Sequence, residues 1–186
     1  MFPRSVTNPV MRVGVYGGSF NPPHVGHAMV AGWLRWADRV DEVWLLPAYA
    51  HPFDKALRPF YARVASCEAL AHLVGPWVRV EPIEANLSVP SYTIDTLDAL
   101  AARHPDHTFR LVVGADVIPQ VGAWKQWDQI VARYGPIVVG RTGWEPVADA
   151  PTFPEVSSTA IRGRLLAGER VDHLVPVAVR RAWEAP

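Results

Sequence analysis

The sequence predicts a doubly wound α/β domain, a mainly parallel sheet of five to six strands with helices on both faces. Three observations predict it. Short apolar runs alternate with longer segments of helical period, the order that parallel strands and their crossover helices require. The first apolar run, Val10 to Tyr16, ends in glycines, as a buried strand does before a turn. The 186 residues are 49% apolar and 19% charged, enough for one real core and too apolar for a disordered chain.

Each element follows in order. After the strand Val10 to Tyr16, the segment Val25 to Arg39 has helical period, with Val25, Met29, Gly32, Trp33 and Trp36 near one face. Asp41 to Ala48 reads as a second strand, Arg58 to Val74 as a second helix and Trp77 to Ile83 as a third strand. Thr93 to Arg103 is helical, with Thr93 or Ser91 as its cap. Phe109 to Asp116 is a fourth strand followed by a short helix, and Pro136 to Arg141 is a fifth strand. The proline-rich stretch Trp144 to Pro154 reads as a loop, because the chain after it is too short to fold alone. Ser157 to Ala167 and Val175 to Trp183 close the chain as helices. The layout is Rossmann-like, a single domain over residues 1–186 with 1–9 as a flexible extension.

Composition excludes several functions. Eighteen basic residues balance eighteen acidic ones, so a broad basic face for nucleic acid is not expected. No stretch approaches the roughly 20 apolar residues of a membrane span. The first ten residues, MFPRSVTNPV, lack the apolar segment of a secretory signal, so the cytoplasm is the expected compartment. Cys67 is the sole cysteine and reads as a small core residue.

The informative stretch is GVYGGSFNPPHVGH, Gly14 to His27. It joins the end of the first strand to the start of the first long helix, where ligands of parallel sheets sit. Glycines at Gly17 and Gly18 let backbone N–H groups approach an anion, and the helix start adds about half a positive charge. Phosphate is the natural guest. The stretch is neither G-x-G-x-x-G nor a P-loop. It carries instead His24 and His27, three apart and so on one helical face, with Gly26 leaving room for a close neighbour. An imidazole titrates near 6.5 and a neighbouring polyphosphate raises it. Both rings would then donate to phosphate oxygens whose charge grows in a transition state. Two other readings stand beside this one: a capping turn with two solvated histidines, and a metal site, which needs a further ligand.

A second helix start, SSTAIRGRLLAG from Ser157 to Gly168, offers hydroxyls and free N–H groups, with Arg162 one turn after Thr159. Such clusters also cap helices that bind nothing. Two helix starts and an arginine converging on one pocket would suit a triphosphate.

Together GGSFNPPHVGH and SSTAIR resemble the nucleotidyltransferase superfamily with (H/T)-x-G-H and I-S-S-T-x-x-[RK] signatures. SYTIDTL (Ser91 to Leu97), GAD followed by Trp124 and Trp127, and LVPVAVR extend the likeness over most of the chain. It is most similar to the bacterial nicotinate-nucleotide adenylyltransferases, and SYTIDTL favours these over the pantetheine-phosphate enzymes. The resemblance implies adenylyl transfer from Mg-ATP to nicotinate mononucleotide, giving nicotinate adenine dinucleotide and pyrophosphate in NAD biosynthesis. Nicotinamide mononucleotide, phosphopantetheine or a non-catalytic nucleotide-binding role are the alternatives. By the same resemblance His24 and His27 hold ATP phosphates and stabilise the transition state. Gly17, Gly18, Ser19 and Phe20 supply backbone donors. Ser158, Thr159 and Arg162 hold the triphosphate and departing pyrophosphate. Trp124 stacks on the pyridine ring, Thr93 and the backbone near Trp124 and Lys125 meet its carboxylate, and Asp116 lies near a ribose. Mg2+ enters with ATP and no protein-held metal is implied. A homo-oligomer is compatible with this pattern.

Simpler roles exist for some of these residues. Trp124 and Trp127 suit a core, Thr93 a helix cap, and Asp116 the cap of the next short helix. Asp95 and Asp98 read as solvated or capping. One segment departs from the family. Where its members carry P-P-H-[KR] after the second strand, this chain has PAYAHPFDK, Pro47 to Lys55. His51 is a candidate for the place of the missing histidine, a role the pattern leaves open, and Lys55 is the phosphate contact expected there.

Overall fold

The computed structural model describes residues 10–49 and 57–185. Its strands are β1 (Met11–Gly18), β2 (Glu42–Pro47), β3 (Val78–Val80), β4 (His107–Gly114), β5 (Ile137–Arg141) and β6 (Thr152–Phe153). All pair in parallel, in the order β3-β2-β1-β4-β5-β6. The helices are α1 (Val25–Trp36), α2 (Phe60–Val74), α3 (Thr93–Arg103), α4 (Trp127–Tyr134), α5 (Ser158–Leu166) and α6 (Val177–Glu184).

Successive side chains of a strand point to opposite faces, and here both faces are apolar. Val43, Leu45, Val112 and Val139 meet Val30 and Leu34 of α1, Cys67 and Leu70 of α2, Ile161 of α5 and Val179 of α6. Val13, Val15, Trp44, Leu111 and Val113 point the other way, onto Ile94, Leu97 and Leu100 of α3 and Ile130 of α4. Each fully buried aliphatic side chain contributes about 1.5–3 kcal/mol, so the two-sided burial holds the sheet. Cys67 lies in the first of these cores, and burial pushes its thiol pKa up.

Four local features differ from the sequence reading, the first being that the third strand stops at Val80 and Ile83 opens a 3-10 turn (Ile83–Asn86). The stretch read wholly as a loop contains β6, which pairs Thr152 with Gly140 and Phe153 with Arg141. A Cβ on Gly140 would lie 2.8 Å from the Pro151 carbonyl, so glycine permits the approach. Two residues are too few to show a period. Between β4 and β5 the chain makes a 3-10 turn (Ile118–Ala123) and then α4, not one short helix. Trp36, placed on the apolar face by its spacing, is 81% exposed, because α1 ends there.

Chain order reverses between β1 and β4: from β1 the sheet grows outward to β2 and β3 on one side, and from β4 to β5 and β6 on the other. Ligand crevices of open parallel sheets form at such a point, outside the carboxyl ends. Gly17 and Gly18 end β1, Gly114 ends β4 and Arg141 ends β5.

Candidate active site

A cleft of about 580 Å³ opens there. Its wall includes Gly17, Gly18, Ser19, Phe20, His24 and His27 from the first motif, and Ser158 and Thr159 from the second. Thr93, Asp116 and Trp124 line it as well. The two helix starts therefore meet around one space.

The loop after β1 is built to present its donors. A Cβ on Gly17 would meet nothing within 4 Å, so that position leaves the cleft open. Phe20 adopts a left-handed φ of +45°, which turns the chain and drives its ring into the core. There the ring packs 4.8 Å from His27 and 6.0 Å from Tyr16, centroid to centroid. Three carbonyls of the loop are engaged by other residues. Arg63 Nη1 donates to Ser19 O at 2.8 Å, Arg162 Nη1 to Asn21 O at 2.8 Å and the Ser158 hydroxyl to Pro22 O at 2.8 Å. Oxygens that would repel an anion are thereby occupied, and the Phe20 N–H lies on the side of its peptide opposite the engaged Ser19 carbonyl.

The histidines interlock. The backbone N–H of His24 donates to His27 Nδ1 at 3.1 Å. A neutral His27 therefore carries its proton on Nε2, the nitrogen available to a ligand. The two rings lie 3.8 Å apart at 31°. A Cβ on Gly26 would sit 3.1 Å from the His24 ring, so the close neighbour that the glycine admits is that ring itself. His24 is only 5% exposed and its Nδ1 is buried with no hydrogen-bond partner, so its ring is not solvated, while the capping contact itself is present in the bond from the His24 N–H to the His27 ring.

At the second helix start Ser157 is the cap: its hydroxyl oxygen accepts the Ala160 N–H at 3.2 Å. The Ser158 hydroxyl is committed to Pro22, so Ser158 faces the cleft with a backbone N–H that has no acceptor inside its helix. Arg162 does not line the cleft wall. Its guanidinium reaches back to Asn21 O and, at 3.4 Å, to the Thr159 hydroxyl.

Trp124 also lines the cleft, packs against the α3-side core and meets Trp127 edge-on at 5.7 Å. Trp127 is absent from the wall and packs on the α3 side of the sheet. Thr93 opens α3, one residue after its cap Tyr92. The Lys125 side chain is not in the wall: its ammonium pairs with Asp95 at 2.8 Å and stands over the Tyr92 ring. Asp98 accepts from Tyr134 and Arg133. Lys55 and His51 lie outside the described residues.

Asp116 turns one carboxylate oxygen to Arg141 Nη1 at 2.9 Å, while Oδ1 is buried without a partner. A Cβ on Gly114 would come within hard contact of that oxygen, so glycine makes its place. Arg141, Glu84 and Ser91 also line the cleft, and the sequence reading missed them. Arg141 was findable as the last residue of a strand, the position that faces ligands in such sheets. Glu84 carried no local signal. Its carboxylate accepts from the Ser91 hydroxyl and the Tyr49 N–H, bonds made only by the fold.

Residues 15–164 match the cytidylyltransferase-like family model. A probable nicotinate-nucleotide adenylyltransferase of Anaeromyxobacter sp. (strain K) is 47% identical over 175 residues, 92% of this chain and 93% of that protein. One from Bacillus pumilus is 35% identical over 179 residues, 91% and 94% of the two chains. The chain belongs to the cytidylyltransferase-like family, among the nicotinate-nucleotide adenylyltransferases. The fold agrees. A solved Plasmodium falciparum nicotinic acid mononucleotide adenylyltransferase superposes with a TM-score of 0.73 at 18% identity, covering 92% of this chain and 94% of that one.

In this adenylyltransferase both histidines rest neutral when the cleft is free. Burial, then Arg141, brings the His24 pKa down to about 4. Burial, then His24, then Arg141, holds His27 well below its usual range. A neutral ring still donates through one N–H, so donation to phosphate does not need the charged form. The unfolded chain takes up these protons near pH 6.5 and the folded chain only far lower. The stability associated with His24 is thus full above about pH 6.5 and lost as pH falls toward 4, by about 3 kcal/mol. Carbon-13 NMR of labelled histidine is expected to show two rings that stay neutral through the ordinary imidazole range. Ring shifts moving for all seven histidines with midpoints near 6.5 would contradict it.

Proposed function

We propose that the phosphate of nicotinate mononucleotide attacks the α-phosphorus of ATP in this cleft, in line with the departing pyrophosphate. The new bond is from a mononucleotide phosphate oxygen to the α-phosphorus. The bond broken runs from that phosphorus to the bridging oxygen, which leaves with its electron pair on pyrophosphate. The attacking oxygen is already anionic, so no side chain has to remove a proton. The work left to the protein is positioning and charge stabilisation.

One observation carries the reading: His27 and the start of α5 line the same cleft as Trp124 and Thr93. Anion donors share the cleft with an aromatic ring and a hydroxyl. His27 Nε2–H, the His24 ring and the N–H groups around Gly17 to Phe20 serve the reacting phosphate. The first-turn N–H groups of Ser158 and Thr159 hold the leaving pyrophosphate, joined by Arg162, whose guanidinium stands behind the wall against the Thr159 hydroxyl and turns onto the bound phosphates. Trp124 gives its face to the electron-poor pyridine ring. Thr93 and the backbone N–H groups near Trp124 and Lys125 take its carboxylate, and Asp116 Oδ1 accepts from a ribose hydroxyl.

Among the described residues no group of three or more His, Cys, Asp or Glu side chains is placed to cage a metal. Mg2+ would enter with ATP, held chiefly by the triphosphate itself, as it usually is at such sites. When bound, Mg2+ offsets charge on the leaving group.

The test is pyrophosphate release with Mg-ATP and, in parallel, nicotinate mononucleotide, nicotinamide mononucleotide and phosphopantetheine. Release is expected with the first at the highest kcat/KM. ATP binding without release from any acceptor would leave only a nucleotide-binding domain. Trp124→Ala is expected to weaken nicotinate mononucleotide binding by about 1–3 kcal/mol, the usual worth of such stacking, with ATP binding unchanged. A calorimetric dissociation constant equal to that of the unaltered protein would remove Trp124 from the ring subsite.

A further inference from the structure

Asn21 sits in the phosphate loop with none of its surface exposed. Its side-chain oxygen accepts the indole N–H of Trp183 at 2.9 Å and the backbone N–H of Arg58 at 3.3 Å. Its backbone oxygen accepts Arg162 Nη1 at 2.8 Å. Trp183 stands on α6, 162 residues away, and does not line the cleft. Arg58 closes the ring. Its guanidinium donates to the carbonyls of Trp183, Glu184 and Ala185 at 2.7–3.2 Å, capping the carboxyl end of α6. It also stands 5.7 Å over the Trp183 ring.

We propose that Trp183 is a positioning residue for adenylyl transfer: its N–H fixes Asn21, and Asn21 fixes the guanidinium of Arg162 on the triphosphate. The inference rests on the reading of Arg162 as a phosphate-holding residue. The physical case is the number of constraints on one residue. A loop carbonyl aims a guanidinium only as well as its own peptide is held. Arg162 takes the backbone oxygen of Asn21, and the side-chain oxygen is held by a rigid indole that is itself 8% exposed. A buried hydrogen bond to a ring is unscreened by water and directional. Ser158, whose hydroxyl bonds the next carbonyl, is tied to the same two-residue segment, so loosening Asn21 disturbs both groups of α5.

Trp183→Phe keeps most of the packing and deletes the N–H. It is expected to raise the calorimetric dissociation constant for Mg-ATP roughly three- to tenfold, the usual worth of one such bond. The dissociation constant for nicotinate mononucleotide should stay within about twofold, a split that general loosening of the fold would not produce. In a double-mutant cycle with Arg162→Gln the two effects on ATP should fall short of additive, since the tryptophan acts through the arginine. Unchanged ATP binding in Trp183→Phe, full additivity, or equal loss for both substrates would overturn the proposal. Unchanged ATP binding in Arg162→Gln alone would instead overturn the phosphate role on which it stands. If the phenylalanine variant does not fold, benzothienylalanine at position 183 keeps the ring shape and removes only the N–H. The same outcomes then apply.

Discussion

Replacing His27 with alanine is expected to lower kcat by about two to three orders of magnitude, the usual cost of removing one transition-state donor. Binding of nicotinate mononucleotide should change little. The reason is where the ring's proton lies. His27 Nδ1 is occupied by the His24 N–H, which leaves Nε2–H as the donor. The ring packs against Phe20 and Tyr16, so the donor's orientation is set before ATP arrives. Alanine also strips the His24 N–H of its acceptor, at about 1 kcal/mol of helix-cap stability. Thermal unfolding measured beside the kinetics separates the two effects: a kcat loss far larger than the fall in folded fraction belongs to catalysis. Steady-state kinetics with turnover near that of the unaltered enzyme would remove His27 from the chemistry. His24→Ala should act in the same direction, since its ring is stacked on that of His27.

Arg63→Met is expected to cost about 3 kcal/mol of stability, lowering Tm by roughly 6–12 °C for a chain of this size. Arg63 is 1% exposed. Its guanidinium bonds the carbonyls of Ser19 and Arg58 and lies 5.5 Å over the Phe60 ring. Methionine fills the stem's space but leaves those two acceptors without this donor in a poorly solvated place. The loop after β1 would loosen with the fold, so kcat should fall as well as Tm. Calorimetry showing Tm within about 2 °C of the unaltered protein would mean that the arginine is not what holds the loop. Arg63 and Arg162 grip the loop from outside at Ser19 and Asn21, and neither bond was visible in the sequence.

Legibility followed the range of the interaction. The first five strands were readable because each is a run of residues whose periods are local, although the third ends at Val80 and not at Ile83. The His24-to-His27 spacing was readable because one helical turn sets it. The two-residue β6 was not, since its partner Gly140 is supplied by another strand. The backbone at Lys125 is the part expected near the substrate, and only the fold shows that its side chain pairs with Asp95, a residue 30 positions earlier. Arg141 went unnoticed as a cleft residue although its strand was seen, because a strand shows its end in sequence and its neighbours only in space.

By itself the sequence determined a glycine turn between a strand and a helix, two imidazoles on one face, and a second capped helix start far along the chain. These follow from backbone sterics and from 3.6 residues per turn, which act within a few residues. Only the tertiary structure decided that both helix starts share one cleft, that His24 and His27 rest uncharged, and that the last helix reaches Asn21. Desolvation, buried hydrogen bonds and the direction of a guanidinium depend on what packs across the sheet, and a linear pattern does not contain that.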